Sequence, residues 1–125
     1  LSTTAGPPHA IPVSTTVRAG ERRVLLALAV RRETLARLRA DPRCALTILT
    51  GEVACTAHAT AAILEDPMAV ADDVAAVDLR VHEIQDHLQP TFAIEGGVRW
   101  RWTDEAARDR DATIRAALRE LAARG

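Results

Sequence analysis

The chain has 125 residues, enough for one domain with a real core and too few for two. Hydrophobic residues make up 48% and charged residues 26%, a globular balance that excludes a disordered chain. Net charge is −1 and all 16 basic residues are arginine. No global field therefore draws nucleic acid or an anionic membrane, and any anion site must use Arg, backbone N–H or hydroxyl groups.

Short alternating runs separated by turn signals fill most of the chain. Leu1 to Thr4 reads as a strand fragment, and because it opens on Leu1 rather than Met, residues upstream are expected. Gly6-Pro7-Pro8 forces a turn. His9 to Val17 reads as one strand, with Pro12 hinting at an edge or a bulge. Ala19-Gly20-Glu21 turns the chain into Arg23 to Val30, a run apolar on both faces and so expected to be buried on both. Glu33 to Ala40 is predicted as a short helix, stopped by Asp41-Pro42 because the residue before proline is driven out of the helical region. Arg43 to Thr50 and Val53 to Leu64 are predicted strands around a Gly51-Glu52 hairpin turn. Glu65 to Asp73 is a loop or a turn of helix around Pro67.

Val74 to Ile84 alternates cleanly, with Val77, Leu79 and Val81 on one side and Asp78, Arg80 and His82 on the other. Thr91 to Ile94 and Val98 to Trp102 flank Glu95-Gly96-Gly97, which predicts another hairpin. Thr103 is the expected N-cap of a last helix, with Asp104 and Glu105 in its first turn. Ile114, Ala117, Leu118, Leu121 and Ala122 give that helix an apolar stripe. No repeat or linker interrupts residues 1–125. The sum is mainly β with α: about six antiparallel strands, one short helix between two of them and one terminal helix, the make-up of a small barrel or sandwich.

Few residues carry a chemical signal. Arg31, Arg32 and Thr34 lie at a strand end and a helix start, where free N–H groups and the helix dipole favour anions. They make either a phosphate cradle or a solvated surface pair. Trp100 and Trp102, at i and i+2, would share one strand face and hold most of the aromatic surface, as a stacking platform or as core. The Arg residues of the last helix alternate with Asp and Glu and read as a solvated face. Cys44 and Cys55 form no CxxC pair and read as small buried residues in a reducing, cytoplasmic setting. His82 and His87 are five apart and do not share a helical face, and His9 and His58 join no ligand cluster, so no metal site is expected. No nucleophile elbow, P-loop or GxGxxG motif is present, and Ser2 and Ser14 lack a triad context. No apolar run has the length of a membrane span.

The order "PPHAIPVSTTV", "ERRVLLALAV", "RRETLARLRADPRCALTIL" resembles the pyridoxamine 5'-phosphate oxidase-like family of flavin-binding split barrels, whose short helix has the form "NLRxDPRV". The later "GVRWRWTDE" and final helix resemble an actinobacterial branch of that group. The resemblance implies a six-stranded split barrel that pairs as a homodimer, with FMN in the groove between subunits. It implies that the flavin phosphate is held at the strand-to-helix junction, here Arg31, Arg32 and Thr34. Pro12, Val13 and Ser14 would line the isoalloxazine, with Leu28 and Ala29 nearby and Trp100 or Trp102 reaching it from the second subunit. Relatives often carry Arg-Lys where this chain has Glu33-Thr34, which weakens the phosphate site or moves it to Arg31 and Arg32. The implied activity is a flavin-dependent oxidoreductase acting on a small-molecule substrate. A deazaflavin in place of FMN, and a non-catalytic module holding flavin or haem, are the alternatives.

Overall fold

The computed structural model describes all 125 residues, Leu1–Gly125. Nine elements follow in chain order: β1 (Ser2–Thr3), β2 (His9–Ala10), β3 (Thr16–Gly20), β4 (Arg23–Ala29), α1 (Glu33–Ala40), β5 (Arg43–Leu49), β6 (Ala54–Glu65), β7 (Val74–Asp86) and α2 (Glu105–Arg124). The strands form one seven-stranded antiparallel sheet in the order β2-β1-β5-β6-β7-β4-β3. The count exceeds the expected six because the run expected as one strand, His9 to Val17, is divided between β2 and β3.

The sheet is strongly curled. Four inter-strand spacings separate β5 from β3, roughly 19 Å in a flat sheet. Yet Leu46 and Ile48 of β5 share a cavity of about 510 Å³ with Thr16 and Arg18 of β3. Register shifts in the β6–β7 pair, between His58 and Ala59 and between Ile63 and Glu65, supply part of the bend. The β5–β6 turn closes with the Thr50 N–H donating to the Val53 carbonyl at 2.7 Å, as the Gly51-Glu52 signal predicts.

Alternation along β4 explains its doubly apolar sequence. Leu26 and Leu28 enter an inner core with Leu35 and Leu38 of α1, Leu46 of β5 and Val77 and Leu79 of β7. Leu25 points the other way, into a second core with Val17, Met68, Ala76 and the α2 residues Ile114 and Leu118. Ala117, Leu121 and Ala122 pack at its margin, so the predicted stripe is the face α2 buries. Cys44 is in the inner core, where burial pushes its thiol up to about 11. Cys55 is only half-buried, contrary to expectation, because its strand position faces the open cavity rather than the filled core.

Three other expectations are corrected. His9 to Val17 is not one strand: pairing stops after Ala10 and resumes at Thr16. Pro12 has no N–H to offer a ladder, which accounts for the break. Residues 91–102 form no hairpin and run as an irregular segment. The alternation Val98-Arg99-Trp100-Arg101-Trp102 is genuine, but a short two-stranded ribbon with no third strand to pack on is marginal in water. The cap of α2 is Asp104, whose Oδ1 accepts from the Ala106 N–H at 2.9 Å, one residue after the expected Thr103. Neither helix is long and apolar enough to cross a membrane.

Candidate functional site

The largest concavity lies where three irregular stretches meet beside the entry to α1. Pro12–Ser14 forms one part of its wall, the β5–β6 turn at Leu49–Gly51 a second, and Ile94, Gly96, Gly97, Val98 and Trp100 a third. Arg32 and Trp100 also line it, around about 1220 Å³. Backbone runs close there: a Cβ on Gly97 would come within 3.5 Å of the Leu49 carbonyl.

Half of the residues singled out from the sequence line this groove, namely Pro12, Val13, Ser14, Arg32 and Trp100. The rest do not. Arg31 is exposed outside the groove lining. Leu28 is core and Ala29 is paired against Val74 in the sheet. Thr34 is fully buried, and its Oγ1 shares a 2.9 Å hydrogen bond with His9 Nε2. The reason is the orientation of α1, which turns Thr34, Leu35 and Leu38 into the protein. The Thr34 hydroxyl is thus turned away from the groove, and Arg32 is the junction cation that lines it.

The carboxylate at Glu33 is less damaging than its position suggests. Arg37, one turn later, donates to Glu33 Oε1 at 2.9 Å and also holds the Ala5 carbonyl at 2.6 Å. Glu33 is therefore paired along the helix rather than opposed to Arg32. The C-terminal end of α1 is fixed by Asp41, which accepts from the Arg43 side chain, from Thr4 and from the Arg43 backbone N–H. Those contacts hold its carboxyl well below the usual carboxylate range.

Trp100 and Trp102 do not share a strand face. Their rings meet edge to face, with centroids 5.0 Å apart and planes at 82°. Trp100 lines the large groove, while Trp102 lies over a smaller cavity with Thr15, Ala27 and the α2 residues Asp111 and Ile114. The pair links the groove to α2.

Contrary to the solvated face that the charge alternation predicts, Asp111 and Arg115 of α2 at that junction are partly buried. Thr15 Oγ1 donates to Asp111 Oδ1 at 2.6 Å and Arg115 Nε donates to Asp111 Oδ2 at 2.7 Å. The other Arg115 nitrogens donate to the carbonyls of Thr16 at 2.8 Å and Ser14 at 2.6 Å. An Asp-Arg pair at i,i+4 was the available signal, but that spacing is equally common on free helix faces. Partial burial alone would push the Asp111 carboxyl up; the bonds from Thr15 and Arg115, with the Arg115 charge, outweigh it and leave it lowered.

A pH dependence follows. Asp111 is lowered from the ordinary 3.8, so the folded state binds its proton less readily than the unfolded chain does. The stability it contributes is present above that value and is lost as pH falls through the lower folded value. Urea titrations should show unfolding free energy declining below about pH 4. Asp111→Asn should flatten that acid limb; an unchanged limb would show that Asp111 is not linked to folding.

Three of the four histidines are hydrogen-bonded in place: His58 to Gln85 at 3.0 Å and His87 to Thr56 at 2.8 Å, besides His9 to Thr34. No group of three or more His, Cys, Asp or Glu side chains gathers as metal ligands.

No family model matches the chain, and no curated protein matches its sequence. Four solved chains match by structure. One is a Listeria innocua protein provisionally assigned as a pyridoxamine 5'-phosphate oxidase, aligned with a TM-score of 0.57 and 12% identity over 69% of this chain and 84% of that one. The two share a fold. The curled antiparallel sheet with its two helices is a split barrel, as the sequence resemblance implies.

Proposed function

We propose that the chain binds FMN in the groove beside α1 and acts as a flavin-dependent oxidoreductase of the pyridoxamine 5'-phosphate oxidase-like group, working as a homodimer in the cytoplasm. The observation that carries this reading is the convergence of Arg32, Pro12–Ser14 and Trp100, from three distant stretches, on one groove. A flavin nucleotide needs a cation for its phosphate and flat apolar walls for its ring. Arg32 meets the first need, and Trp100 with the Pro12–Ser14 backbone meets the second. Bound there, the isoalloxazine would supply the hydride or electron chemistry, while the chain positions it and excludes water.

The dimer is supported by apolar surface that a lone chain leaves wet. Leu49, Ile84, Val98 and Trp100 are all more than half exposed, and Leu49 and Ile84 rim the barrel cavity. Patches of this kind mark association surfaces. Both cysteines are free, which fits a reducing compartment. One observation favours a deazaflavin as the second reading: at about 1220 Å³ the groove exceeds the size typical of small-cofactor pockets and has room for a longer tail.

Titration with FMN and with a deazaflavin, followed by quenching of the two tryptophans and by the visible spectrum, tests the proposal. Arg32→Ala should weaken FMN binding by about 1.5–3 kcal/mol, because a charge-assisted contact is lost. Failure to take up either flavin would overturn the reading, and unchanged affinity in the variant would remove Arg32 from the site.

A further inference from the structure

We infer that Asp111 and Arg115 are positioning residues for the groove: by bonding Ser14, Thr15 and Thr16 from outside it they hold the end of its Pro12–Ser14 wall in place, so that ligand affinity is set by where α2 docks. The inference deepens the flavin reading and rests on it for its ligand.

Backbone accounting motivates it. Residues 11–15 lie between β2 and β3 and belong to no strand. Their backbone contacts are few: the Ile11 N–H donates to the Leu1 carbonyl at 2.9 Å, the Ile11 carbonyl accepts from the Leu1 amino group at 2.7 Å, and the Thr15 carbonyl accepts from the Ala27 N–H at 3.1 Å. Pro12 has no N–H. A segment so lightly tied would sample several conformations, since each backbone residue left free retains conformational entropy. The missing restraints come from α2. Arg115 spans two carbonyls, Ser14 and Thr16, with separate nitrogens, and Asp111 takes the Thr15 hydroxyl and orients the guanidinium. Three consecutive residues are thus pinned by one i,i+4 pair. Arg115 is adjacent in sequence to Ile114, which is buried in the second core, so the clamp is set by the packing of the helix.

Neither side chain lines the groove. Their effect on a ligand is therefore indirect. If the wall holds its binding shape only part of the time, apparent affinity falls by that fraction.

Lysine at position 115 keeps the charge but, as a compact ammonium, cannot span two carbonyls in a fixed fork. Arg115→Ala, Arg115→Lys and Asp111→Asn are compared by hydrogen exchange and by FMN titration. The exchange arm needs no ligand: the Ala27 amide, bonded to the Thr15 carbonyl, should lose protection in Arg115→Ala while the β6–β7 amides keep theirs. FMN affinity should fall about tenfold in Arg115→Ala, with partial recovery in Arg115→Lys. Unchanged Ala27 exchange overturns the clamp, whatever flavin does. Loss of protection with unchanged FMN affinity overturns the coupling to the groove. Wild-type protein that binds no flavin defeats the flavin reading, and the exchange result still decides whether the clamp exists.

Discussion

Asp78→Asn is expected to lower the free energy of unfolding by about 3–5 kcal/mol, because it strands a buried guanidinium. Asp78 is 1% exposed, on the β7 face turned toward α2. Arg23 on β4 meets it with one nitrogen bridging both carboxylate oxygens, at 3.0 and 3.1 Å. A second Arg23 nitrogen donates to the Ala122 carbonyl at 3.0 Å, in the last turn of α2. Arg80 adds a looser contact at 3.4 Å from a largely exposed side chain. The group thus ties two strands and a helix end together. Its desolvation is offset only while both charges are present, so truncating one partner costs more than the pair contributes. The urea midpoint should drop without a change in slope, and the melting temperature by more than about 10 °C. The double variant Arg23→Met/Asp78→Leu should recover part of the loss, since no charge is then left buried. A loss below about 1 kcal/mol in Asp78→Asn would show that water screens the pair as it does surface ion pairs.

Leu118→Ala is the second large effect, about 2–5 kcal/mol, as for other fully buried leucines truncated in a close-packed core. Leu118 is 0% exposed and shares its core with Val17 of β3, Leu25 of β4, Ala76 of β7 and Met68 of the β6–β7 connection. The alanine leaves a void that the strands cannot fill without breaking their ladders. Leu118→Met conserves volume and should cost under about 1.5 kcal/mol. Equal losses for the two variants would mean that polarity or helix propensity, rather than packing, decides the site. Calorimetry of both proteins, with amide exchange along α2, separates these cases.

The sequence made the fold legible wherever pattern and partner agree. The doubly apolar run of β4 announces two cores, and two cores are present. The 114, 117, 118, 121, 122 stripe announces a docked helix, and that face is the buried one. The pattern misleads where a local signal lacks a neighbour. Val98 to Trp102 alternates like a strand, but it joins no ladder with another strand. Site residues divide in the same way. Arg32 could be located at the entry to α1 because a strand-to-helix junction is a local feature. The inward turn of Thr34 could not be read there, because only the docked orientation of α1 shows that its hydroxyl faces His9. Asp111 and Arg115 were hidden for the opposite reason. Their spacing looks ordinary on a helix, and the carbonyls they serve lie about 100 residues earlier in the chain.

The free edge of β3 has a consequence of another kind. Open sheet edges expose rows of unpaired carbonyl and N–H groups that invite growth by added strands. At one end of this edge the Thr16 carbonyl is taken by Arg115, and at the other the Gly20 carbonyl is taken by Arg18. The opposite margin of the sheet ends in β2, only two residues long. Arginine side chains and brevity thus blunt both margins against fibrillar stacking, and a variant that frees the Thr16 carbonyl should be the one that aggregates on storage.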